Sequence, residues 1–358
     1  MLEPTPTPSR LTWPSAEREA AFADWLESVR PAHQLLPQSL RPASADASFR
    51  RYLRIDREPG AGGGSLIVMD APPPQEDVRP FVAVAGQLQA AGLHAPRVLA
   101  QDAEQGFLLL SDLGQTLYLQ ALGDAVASED RGSIDRLMRD AATTLLEWQQ
   151  RIDPTTLPPY DATLLNRELS LFPEWCVERE LGQQWTEHER AIWDAACSLL
   201  VASALAQPTL AVHRDYMPRN LMVTENGPGI LDFQDAVNGP VSYDLASLLR
   251  DAFISWDEEF ELDIAVRYWE GARKAGLPVD PDFGEFWRQV EWMGLQRHLK
   301  VLGIFCRLKH RDGKPKYSED LPRFFAYAHH VAARYSALRP LSRLLELLMG
   351  AQRIDAFY

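Results

Sequence analysis

A chain of 358 residues is long enough for two domains or one large bilobal unit, and with 46% hydrophobic and 24% charged residues it excludes wholesale disorder and collagen-like or low-complexity architectures. Its 36 basic and 50 acidic residues give a formal charge of −14, which argues against nucleic acid as a partner, so an anionic ligand must be held locally by a few arginines or a metal. Three widely spaced cysteines without a CxxC pair, Cys176, Cys197 and Cys306, together with no signal-peptide pattern and no apolar run approaching ~18 residues, predict a cytoplasmic protein with no membrane partner.

The first predicted element follows a proline-spaced tail. Ser15 can cap a helix whose Phe22, Trp25, Leu26 and Val29 share one face, with Pro31 as its stop. Residues 48–56, SFRRYLRID, alternate as a strand, placing Phe49, Arg51, Leu53 and Ile55 on one face and Arg50, Tyr52, Arg54 and Asp56 on the other. EPGAGGGS at 58–65 lacks the GK[ST] ending of a phosphate loop and reads as a flexible turn into a second strand, Leu66 to Met69. A helix near 76–91 and strands near 97–100 and 106–110 complete a small mixed lobe, interrupted at Ser111-Asp112-Leu113-Gly114. The remainder reads as mostly helical, starting with 133–151, where Ile134, Leu137, Met138, Ala141, Leu145 and Trp148 recur at helical spacing, and broken by short strands between 209 and 233. The expected fold class is α+β, with a sheet-rich N-terminal lobe at 1–112 and a larger helical C-terminal lobe at 113–358.

The segment most informative about chemistry is Val212-His213-Arg214-Asp215-Tyr216-Met217-Pro218-Arg219-Asn220, followed after a hairpin turn by Ile230-Leu231-Asp232-Phe233-Gln234-Asp235. It fits H-R-D-x-x-x-x-N followed by a D-F-x metal site, the catalytic core of the bilobal protein-kinase-like fold. Phosphoryl transfer explains the spacing: Asp215 orients an acceptor hydroxyl and accepts its proton, while Asn220 and Asp232 hold Mg²⁺ against the phosphates. Singly, each is as readily a turn or strand-end residue. In this order, across two short strands, they point to a phosphotransferase, and His213 is expected to brace the loop.

From Ser44 onward the chain resembles the aminoglycoside phosphotransferase/choline kinase-like family, because only Asp235-Ala-Val-Asn-Gly-Pro-Val-Ser-Tyr separates the metal site from a helix at Asp244, leaving no room for a protein-kinase activation segment. Seven segments, ASFRRYLR, VMDAPP, LLLSDLG, FPEW, HRDYMPRNLM, LDFQDAVNGPVSYDLASLLRD and LQRHLKVLGIFCRL, look most like the bacterial N-acetylmuramate/N-acetylglucosamine anomeric kinases. That resemblance implies ATP and Mg²⁺ as cofactors, the C1 hydroxyl of a cell-wall amino sugar as acceptor, and a place in peptidoglycan recycling. It also implies that the strand at Leu109, ending at Ser111, meets the adenine edge, and that Asp244 braces the catalytic loop. Glu174, Trp175, Arg219, Arg297 and Lys300, with Arg307, become candidates for the sugar pocket, where a cation would meet a lactyl carboxylate. A tryptophan beside a proline is equally a core residue, and helical arginines are equally solvated.

The chain departs from the kinase pattern in one respect. Its five lysines are Lys274, Lys300, Lys309, Lys314 and Lys316, so the N-terminal lobe has none to pair with the α- and β-phosphates. Arg51 is the expected substitute, since a guanidinium among Phe49, Leu53 and Ile55 needs an anionic partner, and Arg50 on the opposite face is the control. Ser44 to Ser48 would replace the glycine-rich loop over the phosphates. An aminoglycoside or other small-molecule hydroxyl kinase is the alternative enzyme, distinguished by a dense acidic pocket. A non-catalytic pseudokinase is the alternative from another class, and it would not need Asp215.

Overall fold

The computed structural model describes residues 11–43, 49–61, 63–251 and 253–350. Helix α1 (Ala16–His33) starts where the Ser15 side chain accepts a hydrogen bond from the Arg18 N–H. It runs through Pro31, where the sequence predicted a stop, and ends at Gln34, whose left-handed backbone (φ 54°) returns its N–H to the Arg30 carbonyl. Strands β1 (Leu35–Pro42), β2 (Arg51–Arg57) and β3 (Ser65–Asp70), helix α2 (Arg79–Ala90), and strands β4 (Val98–Asp102) and β5 (Phe107–Ser111) follow. The sheet has the order β1-β2-β3-β5-β4 with every pairing antiparallel. Alternation decides its faces: Leu53, Ile55, Leu66, Val68, Phe107 and Leu109 pack on Phe22, Trp25 and Leu26 of α1. Phe49, expected on that face, precedes β2 and is 68% exposed.

The chain then enters α3 (Tyr118–Ala127), α4 (Arg131–Arg151), α5 (Ala162–Leu169), a π-helix at Phe172–Glu180, α6 (Glu187–Leu205) and strand β6 (Thr209–Val212). Apart from the half-buried Ile134, the predicted stripe on α4 lies on its buried face, and Trp148 donates its indole N–H to the Ala211 carbonyl at 2.9 Å. Short strands β7 (Leu221–Met222) and β8 (Gly229–Ile230) form a hairpin, and β9 (Val237–Pro240) pairs with β6. Helices α7 (Tyr243–Leu249), α8 (Glu258–Lys274), α9 (Phe283–His310), α10 (Leu321–Arg334) and α11 (Arg339–Met349) complete the fold. The long α9 runs through the helical core, and its Gly303 lets the Leu171 backbone approach so closely that a Cβ would lie 2.4 Å from the Leu171 carbonyl carbon.

Two compact units result: Met1–Gln115 with Met222–Asp235, and Thr116–Leu221 with Ala236–Tyr358. A single cut after residue 112 therefore misses a segment of the first unit. Phe233 packs on Phe81 of α2 with ring centroids 4.7 Å apart, and the Ile230 N–H donates to the His94 carbonyl at 2.8 Å. Cys176, Cys197 and Cys306 are free thiols and buried. Among the described residues, no helix is long and apolar enough to cross a membrane.

Candidate active site

In the second unit, the turn after β6 is built around Asp244. Its buried carboxylate accepts the N–H groups of His213 (2.7 Å) and Arg214 (3.0 Å), and burial pushes its pKa up to about 7 against those two donors. His213 is fully buried between the rings of Trp148 and Tyr216 and accepts the Asp215 N–H on Nδ1 at 3.3 Å. Arg214 is held in the left-handed region (φ 75°), a conformation that costs a non-glycine residue on the order of 1 kcal/mol and that its neighbours must enforce. Asn220, nine-tenths buried, donates its side-chain amide to the Asp215 carbonyl at 2.9 Å, which ties the two ends of the loop together.

The Asp215 carboxylate is 40% exposed, and two cations of α9 lie near it. Partial burial alone would raise its pKa, but Lys300, Arg297, His213 and Arg214 outweigh that and hold it below its ordinary value. Arg297 is 3% exposed, with Nη2 3.9 Å from Asp215 Oδ1 and Nη1 buried without a hydrogen-bond partner. A buried guanidinium with an orphaned donor beside a half-open carboxylate is a place for a ligand that brings its own negative charge. Lys300 donates to the Tyr243 hydroxyl (3.2 Å) and pairs with Glu168 at 3.0 Å.

Glu168, which sequence reasoning missed, is the hub of this arrangement. It is 4% exposed and receives Arg214 Nη2 at 2.6 Å, Lys300 Nζ at 3.0 Å, Gln296 Nε2 at 3.2 Å and the Tyr160 hydroxyl. Burial opposes its charge, but Lys300 and Arg214 prevail and bring its pKa down to about 2. A signal was available: Glu168 shares the buried face of α5 with Leu165 and Leu169, and a carboxylate at such a position requires partners.

The other predicted sugar-pocket residues are placed differently. Glu174 is exposed on the π-helix, and Trp175 packs partly on the helical core with Arg179 over its ring at 5.0 Å, so that aromatic face is already covered. Arg219 lies over the Phe253 ring at 5.1 Å. Arg307 has a buried, unpartnered Nε, and its proton is loosened by burial and by Arg311 and Arg167, with Asp312 and Glu174 acting in the opposite sense.

In the first unit, Asp232 also has left-handed backbone (φ 59°) and accepts the Gln234 side-chain N–H at 2.9 Å. Arg51 does not face an open site. Its Nε donates to Asp70 Oδ2 at 2.9 Å, its Nη1 to the Thr12 carbonyl at 2.7 Å, and its plane lies 4.1 Å from the Trp13 ring. The anion it required is thus Asp70, directly across from it on β3 and shared with Arg18. Leu109 is also corrected as an adenine contact. Strand β5 lies between β3 and β4, its backbone is engaged on both sides, and the Leu109 side chain packs toward α1. Ser111 ends that strand, with its hydroxyl accepting the Arg97 N–H at 2.9 Å. Ser44 and Ser48 lie outside the described residues.

Residues 39–279 match the phosphotransferase enzyme family. The chain is 50% identical to the N-acetylmuramate/N-acetylglucosamine kinase of Pseudomonas aeruginosa over 92% of its length and 96% of that protein's. It is 45% identical to the kinase of the same name from Neisseria meningitidis, over 95% and 98% of the two chains. The structure of an ADP-bound aminoglycoside phosphotransferase, APH(2'')-Ib, aligns with a TM-score of 0.55 at 15% identity, covering 90% of this chain and 99% of that one, which shows the protein-kinase-like fold. Similarity that runs almost end to end through the H-R-D and D-F-Q segments leaves one conclusion: this chain belongs to the phosphotransferase enzyme family and is a kinase.

Proposed function

We propose that this kinase transfers the γ-phosphoryl group of ATP to the anomeric hydroxyl of N-acetylmuramate and N-acetylglucosamine. The observation that carries the reading is the 50% identity, over nearly the whole of both chains, to a kinase named for those two sugars. The geometry supports it: Arg297 and Lys300 make the surroundings of Asp215 cationic, which suits a sugar acid and repels the polycationic acceptor of an antibiotic kinase. Retention of Asp215, Asn220 and Asp232 supports catalysis over a binding-only role.

In this reading Asp215 accepts the acceptor's proton. The ring oxygen makes the anomeric hydroxyl the most acidic on the sugar, so a carboxylate of low pKa suffices late in a loose transition state. Arg297 offers its orphaned Nη1 to the lactyl carboxylate, and Glu168 fixes Lys300 and Arg214 around the loop. Asn220 and Asp232 would supply the oxygen donors that a hard divalent cation prefers, in keeping with Mg²⁺ usually being held by one or two protein ligands plus phosphate. When bound, Mg²⁺ would neutralise the charge of the phosphates.

Phosphorus NMR of the product tests the acceptor. A sugar 1-phosphate, coupled to the anomeric proton and labile in acid, is expected with both sugars, and a 6-phosphate refutes the anomeric assignment. Replacing the charge at Arg297 gives a second test. Arg297→Met should raise the KM for N-acetylmuramate on the order of 10-fold while changing that for N-acetylglucosamine much less, because a charge-assisted hydrogen bond is worth about 1.5–3 kcal/mol. The same substitution removes a cation that holds the Asp215 carboxyl down, so the acid limb of kcat/KM should move to higher pH. Equal KM changes for both sugars and an unmoved limb would remove Arg297 from the acceptor site.

A further inference from the structure

The two edges of the five-stranded sheet, β1 and β4, are guarded differently. An edge strand offers unpaired N–H and C=O groups to any other chain, and proline, charge and irregular register are the usual means of refusing one. Strand β1 has all three: Pro37, Arg41 and Pro42 interrupt it, and its pairing with β2 shifts register between Leu36 and Arg41. Strand β4 runs Val98-Leu99-Ala100-Gln101 before Asp102, with neither proline nor charge in those four residues, and Leu99 is 37% exposed. The surface beside it is equally uncharged. From Pro80 to Leu93 no side chain is ionisable, in a chain that is 24% charged, and α2 leaves Ala83, Gly86, Gln89 and Ala90 exposed. Between α2 and β4 lies an open groove of about 350 Å³, lined by residues that include Val82, Gly86, Gln89, Val98 and Gln101.

Charge stands only at the two ends of this edge, and with opposite sign. Arg97 precedes β4 and is exposed, with no salt-bridge partner among the described residues, and Asp102 ends the strand. The two Asp102 oxygens accept the backbone N–H and the side-chain amide of Gln105 at 2.9 and 3.0 Å, one each, which leaves each a further lone pair. The bulge at Leu99 decides how these ends are placed. Val98 pairs with Leu110 and Ala100 with Leu109, so Leu99 is the extra residue and the ladder runs Arg97, Val98, Ala100, Gln101, Asp102. Alternation along it puts Arg97, Ala100 and Asp102 on the α1 face and Val98 and Gln101 on the groove face. The Arg97 N–H and C=O both turn inward, to the Ser111 hydroxyl at 2.9 Å and the Ser111 N–H at 3.0 Å, so by the same alternation Val98 and Gln101 direct theirs outward.

A two-fold pair of strands requires opposed residues to share a face, and this ladder is complementary to itself about Ala100. Laid antiparallel on its own copy, it sets Ala100 against Ala100, Val98 against Gln101 and Arg97 against Asp102. We propose that β4 pairs in this register with β4 of a second copy, joining the two sheets into one, and that the protein is a dimer through this edge. Charge complementarity selects a second copy over an unrelated chain, because every Arg97 meets an Asp102, and the two-fold closes so that neither β4 edge is left open.

Analytical ultracentrifugation of the full chain across micromolar concentrations tests it, with the wild type expected at twice the monomer mass. Arg97→Glu sets like charges opposite each other in both pairs and should raise the dimer dissociation constant on the order of 10-fold or more, as should Asp102→Arg. An equimolar mixture of those two variants should regain the wild-type association, because every pair between them is again of opposite charge. Gln101→Pro removes an outward N–H, leaves Asp102 with Gln105, and should abolish the dimer, since proline is tolerated at an edge but cannot donate to a new neighbour. Circular dichroism and kinase turnover close to those of the wild type show that a variant is folded. A wild type that stays monomeric throughout, a dimer that survives both Arg97→Glu and Gln101→Pro, or a mixture of folded charge variants that stays monomeric overturns the proposal.

Discussion

Asp215→Asn is expected to lower kcat by about 10²–10⁴-fold while ATP affinity stays close to that of the wild type. The substitution keeps the size of the side chain, and the contact that ties the loop, Asn220 Nδ2 to the Asp215 carbonyl, uses backbone and is untouched. What disappears is the proposed proton acceptor, together with the negative charge that Arg297 and Lys300 face. Asn220 and Asp232, the proposed metal donors, are unaltered, so the defect should lie in turnover and not in nucleotide binding. The wild type should hold its rate down to the low pH at which Asp215 finally protonates, since its cationic neighbours keep it ionised below the ordinary carboxylate range. Coupled detection of ADP release gives kcat, and calorimetry gives the ATP affinity. A variant within tenfold of wild-type turnover would end the assignment of Asp215 as the proton acceptor.

Glu168→Leu carries the largest expected cost to stability, about 3–5 kcal/mol, because it strands Arg214 and Lys300 in the interior without the carboxylate that balances them. Glu168→Gln should fall between the two, since an amide can still accept from Tyr160 or Gln296 but brings no charge. The wild-type contribution depends on pH in a defined direction. With the carboxyl at about 2 in the fold and 4.5 as its ordinary value, the unfolded chain binds the extra proton between those limits. Stability from this group is therefore complete above 4.5 and is lost as pH falls toward 2, an amount of about 3 kcal/mol. Urea unfolding at neutral pH checks the prediction, and a loss under 1 kcal/mol in Glu168→Leu would show that the two cations do not need their hub.

The sequence was most legible where a short motif carried its own geometry. His213 to Asn220 and Asp232 to Gln234 could be read because the chemistry demands those residues at nearly fixed local spacing. Period-two alternation separated Arg50 from Arg51 correctly, but it could not say which face was closed. That depended on Asp70 lying directly across from Arg51, a register set by the β2–β3 pairing, and on α1 covering that side. Leu109 failed for a related reason, because whether a strand offers its backbone to a ligand depends on having a free edge, and β5 has a neighbour on each side. Glu168 was hidden by distance, since its partners Arg214, Gln296 and Lys300 come from other elements and no local pattern links them. Trp175 had a physical alternative that proved correct in part: its ring packs on the core and under Arg179.

The membership of Met222–Asp235 in the first unit limits how this enzyme can be divided. A chain ended at Gln115 would carry the five-stranded sheet but would lose Phe233 from beside Phe81, and with it the Ile230 N–H that satisfies the His94 carbonyl. The polypeptide crosses from one unit to the other three times, so neither unit is a linear cassette. Exchanging the first unit between relatives, or splitting the enzyme into complementing fragments, would have to carry the hairpin along with the amino-terminal portion. Recombination at a single crossover near residue 115 would part Met222–Asp235 from the rest of the first unit, so the two segments of that unit are easier to inherit together than apart.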